Sequence, residues 1–361
     1  VTDFNVKTDA LFVGMGNTPV CYYRCMLPAM ALGADWVGVG NEPPNLIWTT
    51  GLVKDGSGEP RSVMPDFSRY KVIVLQQFAS KAWREFVEKL REAGVKVVWE
   101  CDDYLHGIQH LDDHDFKAHF DKSLLWDCEQ MMKRCDALIA STEWIRGNYS
   151  HFQRNAYVCR NGLDVRRYEL TMPERQSINI GWAGATGHLK AVIPWFQQVA
   201  AIMRMREDVN FISIGQDFAR GFQQHFGNQR AIPVPWAAIE QYPAAMTMFD
   251  IALAPGGTGG WYRGKSDLRW LEAGALGIPA IVNPQVYPDV VDGENGFTAE
   301  NPMEFVEKLM GLLGSTELRT TVGASARRHV REKRDIKVMS KQWLDVFDKV
   351  LSDEVPRRKR K

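Results

Sequence analysis

The sequence predicts an α/β protein made of two doubly wound domains. Three observations predict it. The chain has 361 residues, long for one domain and comfortable for two. Short apolar runs and amphipathic helical patterns alternate through both halves. The apolar runs are continuous rather than alternating, which suits strands covered on both faces, as in a parallel sheet.

In the first half, strands are expected at residues 9–14, 71–75, 95–99, 136–140 and 156–159. Residues 82–93 place Trp83, Phe86, Val87 and Leu90 on one stripe with charges opposite, and Gly94 ends that helix. A second long helix is expected over 116–134. The second half repeats the pattern, with strands at 178–183, 210–214, 232–234, 250–254 and 279–283. Helices are expected at 188–206, 239–248, 266–276, 303–313, 317–331 and 336–351. The domains are therefore set at 1–165 and 166–334, both Rossmann-like and facing across a cleft. A helix at 335–354 and a tail at 355–361 follow. The join falls near 161–174, where Asn161-Gly162, Asp164, Pro173 and several charges gather.

Composition is that of an ordinary folded protein, 45% hydrophobic and 24% charged. Acidic and basic residues number 44 each, which argues against whole-protein attraction to nucleic acid or an anionic membrane. The exception is the terminal run Arg357, Arg358, Lys359, Arg360 and Lys361, either a solvated tail or a grip on phosphates. The six cysteines contain no CxxC pair and fit no zinc pattern, so reduced thiols in a cytoplasmic protein are expected. No apolar run approaches the roughly 20 residues that span a bilayer, and no leader peptide is expected.

In open α/β sheets, ligands sit beyond the carboxyl ends of the strands. After the first strand of the second half comes Ala183-Gly184-Ala185-Thr186-Gly187-His188, then the helix carrying Lys190. Small residues before a helix let backbone amides approach a phosphate. After the next strand comes Gly215-Gln216-Asp217. The strand at 250–254 runs into Pro255-Gly256-Gly257-Thr258-Gly259-Gly260, and that loop leads to Gly264-Lys265-Ser266. These loops predict a diphosphate site. Lys265 is a cation at a helix start, where the dipole disfavours it, which hints at a bound anion. Glu272, among Leu271, Ala273 and Gly274, is either a surface carboxylate or a half-buried one needing a partner such as a ribose.

In the first half, Glu100-Cys101-Asp102-Asp103 follows a strand; the carboxylates are either acceptor-binding or basic groups, or helix caps. A metal-binding role for these aspartates is the weaker reading. His106, His110, His114 and His119 lie at spacings that could put imidazoles on one helix face, as metal ligands do. The alternative is a polar acceptor-side loop whose histidines accept protons near neutral pH. Trp261-Tyr262 could stack on a sugar or base.

Five segments in order resemble the donor domain of GT-B glycosyltransferases, particularly the large retaining GT4-like family. They are Asn161-Gly162-Leu163-Asp164, residues 181–188, 249–255, 264–279 (GKSDLRWLEAGALGIP) and Asp292-Gly293-Glu294-Asn295-Gly296-Phe297. The resemblance implies transfer of a hexose from a UDP- or GDP-sugar, UDP-glucose first, to an acceptor hydroxyl. It implies Glu272 on the ribose and no obligatory metal. It also implies a final helix crossing back to the first domain. Gly16, Asn17, Gly184, Thr186, Lys190, Gly215, Pro255, Gly257 and Ser266 complete the expected donor site. Lys265 and His188 are expected to neutralise the leaving diphosphate, with Asp102 and Asp103 as catalytic carboxylates. Tyr23, Arg24, His106 and His110 are expected on the acceptor side. The chain departs from the family in two places. Gly264 replaces the usual first glutamate, and only His188 and Lys190 supply cations after the first donor-domain strand. The acceptor is a glycan or small hydroxylated molecule, or alternatively a hydroxylated base in DNA. Two rival functions are a nonenzymatic sugar-nucleotide-binding protein and an isomerase acting on a UDP-sugar.

Overall fold

The computed structural model describes residues 8–16, 18–40, 53–54, 60–61, 67–110, 120–185, 189–257 and 259–352, with backbone alone at 53–54, 60–61, 110 and 189–191. The chain divides into two compact units. One is Val1–Gly162 with Gly264–Ser266 and Ile336–Lys361; the other is Leu163–Arg263 with Asp267–Asp335.

The first unit is built on β1 (Ala10–Met15), β2 (Asp35–Val39), β5 (Val72–Gln76), β6 (Lys96–Cys101), β7 (Ala137–Ala140) and β8 (Ala156–Val158). A small antiparallel pair, β3 (Val53–Lys54) and β4 (Pro60–Arg61), stands apart from them. The large sheet is parallel, in the order β2-β1-β5-β6-β7-β8. Its central strands are mostly apolar because helices cover them. Helix α3 (Lys81–Glu92) buries Trp83, Phe86, Val87 and Leu90, the stripe its sequence shows, and Ser80 caps it by accepting from the Trp83 amide. The chain order reverses between β1 and β5, so the crevice beyond Met15 and Gln76 is the switch point of this sheet. Between β1 and β2 run α1 (Pro19–Cys21), a π-helical turn (Tyr22–Met26) and α2 (Leu27–Leu32).

The second unit has β9 (Ile178–Gly184), β10 (Val209–Gly215), β11 (Ala231–Val234), β12 (Ile251–Ala254), β13 (Ala280–Val282) and β14 (Phe297–Thr298). They form a parallel sheet in the order β11-β10-β9-β12-β13-β14. This is the dinucleotide-fold order, and its switch point lies between β9 and β12. Phe196 and Val199 from the helix at Leu189–Met205 meet Phe211 of β10 and Ile251 of β12 in the core. Arg334 is a buried cation of the same unit. It donates to both oxygens of Asp267, at 2.7 and 2.9 Å, and to Asp289 at 2.7 Å. Removing one member of a buried ion network leaves the rest uncompensated. Arg334→Ala is therefore expected to cost about 3–5 kcal/mol of stability, read as a lower urea midpoint at unchanged slope.

The helix expected over 116–134 starts at Lys122 in the structure, because Asp121 takes extended backbone and caps it through the Leu124 amide at 2.8 Å. Residues 116–119 lie outside the described part. The helix expected over 239–248 is only Tyr242–Met246, and that over 266–276 is Leu268–Leu276. The final helix is interrupted at Ser340, giving Ile336–Met339 and Lys341–Leu351. The latter belongs to the first unit, where the Trp343 and Phe12 ring centroids lie 5.2 Å apart.

Candidate active site

Beyond the switch point of the second sheet, the loops are held close by glycine. Gly215 ends β10 with φ 91, and a Cβ there would lie 2.8 Å from the Gly184 carbonyl oxygen. Gly257 lets the loop after β12 lie flat on the Tyr262 ring, 2.4 Å from where a Cβ would stand. Pro255 is buried at the start of that loop. Helix Leu268–Leu276 passes behind these loops. It carries Glu272, which is only 4% exposed. A buried carboxylate needs hydrogen bonds, and Tyr242 supplies one, its hydroxyl donating to Oε2 at 3.2 Å. Burial pushes the Tyr242 phenol well above its usual range and the Glu272 charge adds to this, so the hydroxyl stays a donor.

Arg269, three residues before Glu272 and on the same helix face, was not expected from the sequence. Its guanidinium lies 5.4 Å from the Trp182 ring centroid, and a Cβ on Gly184 would come within 2.7 Å of its Nη2. Arg269 thus stands at the carboxyl end of β9, where His188 and Lys190 were expected to supply the positive charge. Burial pushes the nearby Tyr287 phenol up to about 12, opposed by the Arg269 charge. Trp236, also missed, is 60% exposed, and its indole carbon Cζ2 would be 3.1 Å from a Gly215 Cβ. The only sequence signal for these groups was spacing: an arginine one turn from Glu272, and a tryptophan just past β11. Asn17, Thr186, His188, Thr258, His114, His119 and the tail Arg357–Lys361 lie outside the described residues, as do the side chains of Lys190 and His110. A cavity of ≈ 340 Å³ lined by Phe196, Phe218, Phe222 and Phe226 lies elsewhere in this unit, is aromatic, and holds none of the expected donor residues.

In the first unit, the turn after β6 presents two carboxylates. Lys265 Nζ donates to Asp103 at 2.8 and 3.0 Å, with the two side chains 22% and 24% exposed. Gly264 and Ser266 flank that lysine, in the same unit. Asp102 accepts from Gln77 Nε2 at 2.7 Å, and its backbone oxygen accepts from Ser141 Oγ at 2.9 Å. Burial, then the Asp103 and Glu100 charges, raise the Asp102 carboxyl well above the usual range, against the pull of Arg24 and Lys265. Gly16 follows β1 with φ 61.

Arg24 is not an acceptor-side cation. It is fully buried, donating from Nε to Glu100 Oε1 at 2.6 Å and from Nη1 to Cys159 O and Asn161 Oδ1 at 2.7 and 2.8 Å, over the Trp343 ring. Those acceptors commit its guanidinium to the interior. Tyr23 is buried beside it, edge-on to Tyr22. Between His106 and His110 the one-face expectation does not hold. Leu105–His110 is a 3-10 helix, turning about 120° per residue, so residues four apart diverge. His106 instead faces Tyr149 Oη at 3.1 Å and Glu129 Oε1 at 3.3 Å. Among the described residues, no group of three or more His, Cys, Asp or Glu side chains is placed to hold a metal. Nor is any helix there long and apolar enough to cross a membrane.

Two parallel six-stranded sheets with these strand orders, each flanked by helices, define the GT-B class of glycosyltransferase fold. Residues 195–345 match the family described as glycosyl transferase-like. HepE of Anabaena, solved in complex with UDP-glucose, is similar with a TM-score of 0.67 at 15% identity, covering 94% of this chain and 99% of that one. Sucrose-phosphate synthase of Thermosynechococcus elongatus gives 0.70 at 12% identity, covering 96% and 100%. TarM of S. aureus, solved with UDP and alpha-GlcNAc-glycerol, gives 0.57 at 14% identity, covering 77% and 55%. No curated protein sequence matches the chain.

Proposed function

We propose that this chain moves a hexose from a UDP-sugar, UDP-glucose first, to an acceptor hydroxyl with retention of the anomeric configuration. The observation that carries the reading is the buried Glu272 with Tyr242 and Arg269 on the ligand side of the second sheet. The carboxylate accepts the two ribose hydroxyls. The exposed Trp236 indole offers the base a face to stack on. Arg269 and the amides around Gly184, Gly215 and Gly257 take the diphosphate. The bond from the anomeric carbon to the diphosphate oxygen breaks, and its electron pair goes to that oxygen. The acceptor oxygen forms the new bond, and its proton passes to the departing diphosphate. Fixed positive groups stabilise that leaving charge as it develops, which is where such sites gain most of their rate. Retention and the hexose rest on the family resemblance and on the donor named for HepE.

Lys265, the expected partner of the leaving charge, is paired with Asp103 in its own unit. Lys265→Ala is expected to lower kcat for UDP release from UDP-glucose by about 100-fold, the usual cost of removing one group from developing charge. Its effect on donor affinity should be smaller. Steady-state UDP release checks this; an unchanged kcat removes Lys265 from the reaction.

A further inference from the structure

We propose that Gln77 is a positioning residue that aims the Asp102 carboxylate at the acceptor hydroxyl. This rests on the glycosyl-transfer reading above. Among the described residues Gln77 is the one non-glycine residue with positive φ, at 49°. That conformation crowds an L side chain, and such residues persist where the surroundings hold them, often at functional sites. Gln77 sits one residue past β5, at the switch point of the first sheet, where ligands of α/β sheets bind. Its backbone amide donates to Glu100 O at 2.9 Å, which locks the turn. The preceding Gln76 accepts from the Met15 amide at 2.8 Å, tying β5 to the end of β1. The strained backbone turns the Gln77 side chain across β6, where Nε2 meets Asp102 Oδ1 at 2.7 Å and Cys101 Sγ at 3.6 Å. A glycine would take this turn without strain; the glutamine adds an amide, and that amide is spent on Asp102.

One Asp102 oxygen is thereby fixed and the carboxylate plane with it. Charged groups reach Asp102 from each neighbouring element: Glu100 on β6, Arg24 on the π-helical turn, Asp103 beside it, and Lys265 ahead of helix Leu268–Leu276. Two of these are anions that favour the protonated acid, which accepts a hydrogen bond from a hydroxyl poorly. A neutral donor on Oδ1 favours the ionised form. Gln77 therefore orients the carboxylate and, as a donor to it, opposes the upward push of burial and these anions.

The test is UDP release from UDP-glucose with water as the acceptor hydroxyl, across pH, for wild type, Gln77→Gly and Gln77→Glu. Calorimetric titration with UDP-glucose and a melting curve run alongside. Gln77→Gly relieves the backbone, so its melting temperature is expected to hold or rise. Its rate should fall about tenfold, the usual scale for one hydrogen bond to a charged group. The acid limb of its pH profile should move to higher pH, while UDP-glucose affinity stays within about twofold, too little to register as a lost hydrogen bond. Gln77→Glu keeps the chain length, loses the donor, and should slow in the same way. Unchanged rates in both variants, or a rate loss that follows loss of donor affinity or of folding, overturn the proposal. If the wild type binds UDP-glucose but the limb does not move, Asp102 is not the group aimed and the proposal fails while the donor reading stands. If the wild type neither binds nor turns over UDP-glucose, the donor reading falls and takes the proposal with it.

Discussion

Glu272→Ala is expected to weaken UDP binding by about 10- to 100-fold, because hydrogen bonds to a charged group are each worth roughly 1.5–3 kcal/mol. Calorimetric titration reads it directly. The effect is large because the carboxylate is already desolvated, so the ribose meets a pre-formed acceptor rather than one that must shed water. Tyr242 sharpens the point. Its hydroxyl holds one Glu272 oxygen and leaves the carboxylate fixed in plane. Glu272→Gln separates the roles, since it keeps the volume and loses the charge; it should lose most of the affinity with little loss of stability. A fall in stability with UDP affinity intact would make Glu272 a packing residue.

The second large effect concerns folding. Arg24→Ala is expected to destabilise the chain by about 3–5 kcal/mol, measured by urea unfolding, because it strands a buried Glu100. A carboxylate buried without its cation must either ionise at high cost or take a proton. Burial already raises the Glu100 carboxyl, with Arg24 pulling it down, so removing Arg24 pushes it further up. Replacing both partners by apolar residues, Arg24→Met with Glu100→Leu, should recover a large part of the loss, since paired removal leaves no orphan charge. Had Arg24 served the acceptor, Arg24→Ala would fold normally and fail only in turnover. A loss below about 1 kcal/mol would favour an acceptor role for Arg24 over the buried pair.

Much of the fold was legible because its strands are buried on both faces and so read as unbroken apolar runs. β2 was not. Asp35, Trp36 and Gly38 break its pattern, and an edge strand needs less apolar sequence than a central one. The burial of Glu272 was legible because its neighbours in LEAGAL are apolar or small. Arg269 was missed because an arginine on a helix reads as solvated until the sheet edge beside it is known. Arg24 was misread for a different reason. The π-helical turn changes the residues per turn at Tyr22–Met26, so a 3.6-residue pattern cannot say which way Arg24 points. The Lys265–Asp103 pair joins residues 162 apart, and no local pattern reports a contact of that range. Gln77 left no signal either, since an αL backbone is read from sequence only when glycine or asparagine marks it.

The most direct test of the donor site is a paired titration of wild type and Glu272→Ala with UDP and with 2′,3′-dideoxy-UDP, by calorimetry. The expected result is that wild type binds UDP at least about tenfold more tightly than the dideoxy compound, while Glu272→Ala binds the two alike, because the hydroxyls then have no carboxylate to meet. An equal preference for the ribose hydroxyls in both proteins, or no binding of UDP by the wild type, would contradict the assignment of Glu272 and the nucleotide-sugar reading built on it.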